Sequence, residues 1–292
     1  MLGRIYIEII QRWRSFLESS GDDEGGALDD IEHSLLALKV LRRLLIAGYE
    51  FPNRHKEIQE FWTITSGQFG DFLSIAMQDP PSISSQVQKL VGKHLLQLSK
   101  LHLEMARTHP AAFALLPDSV ALGRAYWSLI FNLGEAFGSK STVPSAIIDT
   151  NGEGIDEGKP LIEELSLKGL LVLRACVKMI FNPVHTFKYQ HVEDKDERKR
   201  SCQLLKAQLV TEELACEIME TVVTRYFALR PAELREWEEE PEEWERIEEG
   251  DGDVWEFSIR SCSEKLFLDL LINFKHLLVQ RLLHVFYSVS CE

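Results

Sequence analysis

Acidic side chains are concentrated in one stretch of this chain, residues 229–257. Between Glu233 and Asp253 it contains twelve carboxylates and only two cations, and the tryptophans Trp237, Trp244 and Trp255 are spaced along it. Neighbouring carboxylates can act as a general acid and base, or they can form a negatively charged surface that binds a basic partner. No apolar or cationic residue of the sequence is placed to separate the pKa values of two carboxylates, so the pattern favours binding over catalysis.

The other residue types that catalyse reactions or bind metals are dispersed. His94 and His102 lie eight residues apart on a predicted helix, where we expect packing or surface residues, and His185 and His191 lie in a polar connection without a nearby pair of cysteines. The sequence contains no Gly-x-x-x-x-Gly-Lys-Ser/Thr loop, no Gly-x-Ser-x-Gly turn and no His-Glu-x-x-His helix. We therefore expect a protein that is not an enzyme, with no catalytic residue, no metal site and no cofactor.

The cysteines and the apolar runs indicate the compartment. Five cysteines are scattered without a Cys-x-x-Cys pair, which is typical of free thiols in a reducing environment; they are Cys176, Cys202, Cys216, Cys262 and Cys291. No apolar run reaches the roughly eighteen residues of a membrane span, and the first residues mix charged with apolar side chains, unlike a signal peptide. The composition predicts a chain of the cytosolic or nuclear type without membrane contact.

The net charge of the chain is negative, and most of the excess is concentrated in one segment. Of the formal charge of -14, ten units come from residues 233–253. Nucleic-acid binding needs clustered Lys and Arg to neutralise phosphates, so a direct nucleic-acid partner is not expected. A basic protein surface is the expected partner, because it would be steered to the carboxylates and would complement them.

Outside the acidic stretch, the apolar residues follow helical periodicity with almost no strand alternation. The clearest stripe consists of seven residues: Val87, Leu90, Val91, Leu95, Leu98, Leu101 and Met105. Trp13, Trp62 and Trp127 fall on stripes of the same kind, and we expect them in the core.

These amphipathic segments predict an all-α fold, an α-solenoid of HEAT-type antiparallel helix pairs that is open at both ends. Broad apolar faces favour a stack over a closed bundle, and strongly apolar helices at both ends favour a fragment of a longer array. The predicted organisation is one continuous HEAT-repeat array over residues 1–292, with a long loop at 138–160, a polar connection at 184–195 and an acidic insert at 229–257.

The helices are expected to form antiparallel pairs. The predicted pairs are 30–47 with 52–78, 83–109 with 116–138, 161–181 with 211–228, and 258–274 with 276–289. Residues 3–19 are then the second helix of an interrupted repeat.

The acidic insert also carries a resemblance to a known family. The run Leu234–Trp244 (Leu-Arg-Glu-Trp-Glu-Glu-Glu-Pro-Glu-Glu-Trp), residues Gly250–Trp255 and residues Ser258–Phe267 resemble the importin-β (karyopherin) superfamily of nuclear transport receptors. The resemblance is greatest to its importin-eleven branch and the fungal counterpart of that branch. The preceding predicted helix, Val222–Leu229, which ends in Tyr226–Leu229, fits the same pattern, and Leu36–Leu44 is similar to an inner-helix style common among karyopherins.

The resemblance implies a HEAT superhelix that binds protein cargo and the GTP-bound form of the small GTPase Ran. It also implies contact with Phe-Gly repeats of nucleoporins during shuttling between cytoplasm and nucleus, and a monomeric receptor. It places these residues in an internal segment, past the N-terminal repeats that make the main Ran contacts in the family. The alternative is a Ran-independent HEAT scaffold or adaptor, or an acidic chaperone for basic proteins.

Two interpretations of the acidic insert remain open from the sequence. In the first it is a solvated segment that fills space between repeats, with its indoles packed on neighbouring helices. In the second its carboxylates meet a basic partner and its indoles are contact anchors. In both, Pro241 prevents one continuous helix, so we expect two short turns with a bend. The candidate partner-binding residues are Glu236, Trp237, Glu238, Glu239, Glu240, Glu242, Glu243, Trp244 and Glu245.

Overall fold

The computed structural model describes residues 2–18, 24–77, 84–138, 161–181, 192–229, 231–248 and 253–290. Within these ranges the chain is helical and contains no β-strand. The α-helices are α1 (Leu2–Glu18), α2 (Glu24–Gly48), α3 (Lys56–Ala76), α4 (Ser85–Thr108), α5 (Pro110–Leu115), α6 (Ser119–Gly138), α7 (Leu161–Phe181), α8 (Val192–Gln208), α9 (Glu212–Thr221), α10 (Pro231–Glu239), α11 (Pro241–Glu248), α12 (Ile259–Asn273) and α13 (Lys275–Ser290).

Three short turns of other helix types complete this list. Pro52–Arg54 and Asp253–Phe257 form 3-10 turns, and a π-helical turn at Val222–Tyr226 continues α9. The predicted long loop lies outside the described residues except for Gly138, and the predicted polar connection overlaps them only at its end, where α8 begins. No helix in the described ranges is long and apolar enough to cross a membrane.

The chain divides into two compact units, the first ending at Leu122 and also including Leu161, the second beginning at Gly123 within α6. In the first unit, consecutive helices pair in an antiparallel manner. Arg12 near the end of α1 pairs with Asp30 near the start of α2 at 2.9 Å. Along α3 and α4 the order also reverses, because Phe72 contacts His94 whereas Phe69 contacts His102, with ring centroids 5.0 and 5.4 Å apart.

Equivalent helices of these two pairs run parallel. Tyr6 of α1 lies against Phe61 of α3, and further along the same helices Arg14 pairs with Asp71. For α2 and α4, Arg42 pairs with Glu104, and one turn later the His109 ring nitrogen Nε2 lies 2.8 Å from the carbonyl oxygen of Ile46. Antiparallel packing within pairs and parallel packing between them is the arrangement of stacked helix hairpins.

The predicted pairing was therefore shifted by one helix in this unit. The main packing joins α1 with α2 and α3 with α4, and α2 also packs on α4. Residues 30–47 and 52–78, which were predicted to pair, belong to successive hairpins. The prediction failed because each of these helices has apolar residues facing more than one neighbour, so periodicity does not show which neighbour is its partner.

The core of the first unit contains the residues that the stripes placed there. Trp13 and Trp62 are fully buried, and Trp62 meets His102 edge-on at 5.3 Å. Burial lowers the pKa of both His94 and His102 to about 3, because the charged imidazolium would lose its hydration. Of the two positions expected for these histidines, packing or surface, the structure shows packing for both. The expected core position of both tryptophans is confirmed.

The second unit is built on a close contact between α6 and α7. Gly169 lies against Tyr126, and a Cβ at this position would be 2.9 Å from the Tyr126 ring, so only glycine allows this separation of the helices. Trp127 is also buried, as predicted. α7 also runs parallel to α12, since Arg174 pairs with Asp269 at 2.6 Å and Phe181 contacts Phe274 at 5.3 Å.

Both chain segments that flank the acidic insert are anchored in the second unit. Before the insert, the π-helical turn directs the Tyr226 hydroxyl to donate to the carbonyl oxygen of Ile130, and it places the Arg225 guanidinium 4.5 Å from the centre of the Phe131 ring. After the insert, the Ser258 hydroxyl caps α12 and accepts from the Ser261 amide at 3.4 Å. The insert therefore starts and ends at defined points of one helical scaffold.

Candidate partner-binding surface

The acidic insert folds as two short helices followed by a 3-10 turn. Pro231 and Pro241 occupy the first positions of α10 and α11. The amide of a first helical residue has no acceptor within the helix, so proline, which lacks an amide hydrogen, costs no hydrogen bond there. Glu240 separates the two helices, and its carbonyl oxygen accepts from the Trp244 amide at 3.0 Å. The expected interruption at Pro241 is confirmed, and the two segments that it separates are regular helices.

Trp244 connects the second short helix to the scaffold. Its ring is partly buried, and the guanidinium carbon of Arg260, on α12, lies 5.3 Å from the ring centre. This distance is within the range of a cation–π contact. The Arg260 side chain also lies 3.8 Å from Glu264 of its own helix, which limits its freedom to leave the indole.

Trp255 makes a second contact of the same type. It belongs to the 3-10 turn, is partly buried, and lies against the guanidinium of Arg174 at 4.3 Å from the ring centre. Arg174 comes from α7 and also donates through Nε to Asp269 of α12. Two of the three indoles of the insert are thus held by arginines of the scaffold helices α7 and α12.

Trp237 is placed differently from the other two indoles. It is 49% exposed on α10, and it makes no hydrogen bond, ring contact or cation contact with another described residue. Leu234 lies one turn earlier on the same helix and is 39% exposed. Because residues three apart share a face of a helix, the two side chains form one apolar patch, which we call the α10 patch.

The residues that flank the α10 patch along the chain are mostly glutamates. Five of the candidate residues have exposed side chains that form no ion pair with another described residue: Glu238, Glu239, Glu240, Glu242 and Glu245. The backbones of Glu236 and Glu243 lie in α10 and α11, but their side chains are outside the described part of the structure. The arrangement offers exposed hydrogen-bond acceptors and negative charge beside an apolar face.

The described residues show no comparable arrangement for chemistry. No group of three or more His, Cys, Asp or Glu side chains in these ranges could hold a metal ion. Cys176, Cys202, Cys216 and Cys262 are free thiols, and burial raises the pKa of Cys176 to about 12. A thiol with that pKa is protonated at neutral pH and is a poor nucleophile.

Comparison with known proteins identifies relatives over nearly the whole chain. The importin β-like protein KAP120 of Saccharomyces cerevisiae is 28% identical over 284 residues, 97% of this chain and 25% of the yeast protein. Human importin-11 is 26% identical over 273 residues, 94% of this chain and 25% of the human protein. The solved structure of Lph2, described as a bidirectional nuclear transport receptor of S. cerevisiae, matches all of this chain and 25% of that one, with a TM-score of 0.76 and 26% identity.

This chain is homologous to nuclear transport receptors of the importin-β superfamily. No protein-family profile matches it. The chain spans about a quarter of the length of the karyopherins that it matches. The predicted fold class, an α-solenoid of HEAT-type antiparallel helix pairs, is confirmed, and these relatives are named as transport receptors rather than enzymes.

The acidic insert is evident in the sequence, whereas the residues that hold it are not. Arg174 and Arg260 were not singled out, although each is a charged residue within a largely apolar helix, which is the available signal. Leu234 was quoted only as part of the family run. The two arginines lie on α7 and α12, so their relation to the indoles depends on tertiary packing.

Proposed function

We propose that this chain is a cargo-binding part of a nuclear transport receptor, and that its acidic insert receives a basic surface of the cargo protein. The observation that carries the proposal is a set of five exposed carboxylates, none of which forms an ion pair with a described residue: Glu238, Glu239, Glu240, Glu242 and Glu245. Homology to transport receptors over 97% of the chain supports the transport role.

The energy of such binding comes from many weak contacts. One exposed ion pair contributes only about 0–1 kcal/mol, so several carboxylates must act together. Their attraction is screened over about 8 Å at physiological ionic strength. We therefore expect cargo binding at the insert to weaken steeply as salt increases, and its association rate to fall with it.

The remaining partners belong to the whole receptor. By homology the receptor would respond to the GTP-bound form of Ran, mainly through other repeats, and would contact Phe-Gly nucleoporins. It would work as a monomer that shuttles between cytoplasm and nucleus. Protein rather than nucleic acid or membrane is its expected ligand, because negative charge dominates the exposed insert.

The charge proposal is tested by removing carboxylates without changing side-chain shape. We expect Glu→Gln at Glu236, Glu238, Glu239, Glu240, Glu242 and Glu243 to weaken binding of a fluorescent Lys/Arg-rich peptide. The dependence of log Kd on log salt should also become flatter. A matched control changes six exposed glutamates elsewhere to Gln: Glu8, Glu32, Glu50, Glu57, Glu60 and Glu217. Equal weakening in both variants would show a general charge effect and contradict the assignment to the insert.

The transport proposal needs a separate experiment on a full-length receptor that contains this segment. Basic cargo is captured with and without Ran locked to GTP, and the retained cargo is compared. A Ran-dependent change in retention supports a transport receptor. Ran-insensitive retention would favour an adaptor or an acidic chaperone for basic proteins.

A further inference from the structure

The α10 patch is an apolar surface of the insert that the scaffold leaves partly exposed. Trp237 has about half of its surface in solvent, and Leu234 on the same face is 39% exposed. A large indole exposed on a nine-residue helix loses the burial that would normally stabilise it. Exposed aromatic side chains beside charged groups are typical of contact sites for other proteins.

The other two indoles of the insert, Trp244 and Trp255, each contact an arginine guanidinium. Trp244 stacks with the guanidinium of Arg260, and Trp255 stacks with the guanidinium of Arg174. Each arginine is supplied by a helix of the scaffold. Trp237 is the indole of this insert to which no described residue supplies a cation.

The charge around the α10 patch restricts the partner further. Glu238, Glu239 and Glu240 follow Trp237 directly, and Glu242 is the second residue of α11; all four side chains are exposed. An acidic or neutral segment would bring no compensating charge to these carboxylates. A basic segment would be attracted to them and would gain hydrogen bonds with them.

Among basic side chains, arginine fits this surface better than lysine. The planar guanidinium stacks on an indole and still donates in its own plane to neighbouring carboxylates. Its methylene groups can cover an apolar residue such as Leu234. An ammonium group is a more strongly hydrated point charge and cannot make the same planar contact.

We propose that the α10 patch is the docking site for an arginine-bearing segment of a basic partner protein. One arginine stacks on Trp237, its stem covers Leu234, and the carboxylates from Glu238 to Glu242 hold neighbouring basic side chains. This inference rests on the proposed function of the insert and adds a specific anchor and a preference for arginine.

The experiment compares two fluorescent peptides of the same length, spacing and charge, one with arginine and the other with lysine at every basic position. We expect the unaltered chain to bind the arginine peptide about two- to fivefold more tightly, the effect of one exposed cation–π contact. Trp237→Ala should remove this preference and leave lysine-peptide binding nearly unchanged, whereas Trp237→Phe should retain part of it. Tyr287→Ala removes an aromatic ring that is 65% exposed on α13 and should change neither affinity.

The possible results separate this inference from the proposed function. Binding of both peptides without a preference, or a preference that persists in Trp237→Ala, would overturn the anchor and leave the charge proposal intact. Binding of neither peptide at low salt would instead contradict the proposed function. Sedimentation velocity completes the test, because a dimer that Trp237→Ala dissociates would assign the α10 patch to self-association and overturn the inference.

Discussion

Arg174 and Trp255 form the contact that joins the end of the acidic insert to its scaffold. The guanidinium carbon lies 4.3 Å from the centre of the indole ring, and Nε of the same side chain donates to Asp269 at 2.6 Å. The Arg174 and Asp269 side chains are only 12% and 19% exposed, so solvent screens this pair less than a surface ion pair. One arginine therefore links α7, α12 and the insert.

We expect Arg174→Met to destabilise the second unit by about 1–3 kcal/mol, because it leaves the partly buried Asp269 carboxylate without its partner. Denaturant unfolding measures this loss. Hydrogen exchange should also become faster in residues 253–257. A double-mutant cycle with Trp255→Leu isolates the stacking contact, for which we expect a coupling of about 0.5–1 kcal/mol. Strictly additive effects would show that the two side chains do not interact.

A second prediction concerns the close approach of α6 and α7. Gly169→Ala adds a Cβ that would lie 2.9 Å from Tyr126 Cδ1 and 3.2 Å from Ile130 Cδ1, and Tyr126 is fully buried. We expect a loss of about 1–3 kcal/mol in the free energy of unfolding, because the core has no space for the methyl group.

The matched control is Gly70→Ala in the middle of α3. Apart from its chain neighbours and the backbone of α3 itself, no described atom lies within 4 Å of a Cβ at that position. Alanine there should stabilise the chain by about 0.5–1 kcal/mol, because glycine loses more backbone entropy in a helix. If both substitutions changed the unfolding free energy in the same direction, packing at Gly169 would not be the cause.

A third prediction concerns pH. Burial lowers the pKa of His94 and His102 from 6.5 in the unfolded chain to about 3 in the folded one. Between these values the unfolded chain binds more protons, so stability is full above about pH 6.5 and falls as the pH decreases toward 3. Each histidine contributes a slope of up to about 1.4 kcal/mol per pH unit within this window.

Unfolding by denaturant at pH 7.5 and pH 5 measures this loss. His102→Met places an apolar side chain between the rings of Trp62 and Phe69 and should reduce the difference between the two pH values. An unchanged difference would mean that His102 is not the titrating group. The His94 ring has a different polar neighbour, because its Nε2 lies 2.8 Å from the Tyr6 hydroxyl.

Periodicity and local chemistry in the sequence were sufficient for the helices and for much of the core. Trp13, Trp62 and Trp127 are buried where the apolar stripes placed them. Pro241 interrupts the insert as expected, since a proline ring prevents a continuous helix wherever the chain lies. These features depend on residues close in sequence, so no knowledge of the packing was needed to predict them.

The pairing of helices and the roles of the three insert indoles were decided by the tertiary structure. An apolar helix face does not specify which helix packs on it. The sequence had suggested that residues 30–47 pair with residues 52–78, whereas in the structure α2 pairs with α1. Likewise, Trp237, Trp244 and Trp255 look alike in sequence, but among the described residues arginines contact Trp244 and Trp255 and not Trp237. That difference arises because α7 and α12 bring Arg174 and Arg260 to the insert from distant points of the chain, a contact that no local pattern encodes.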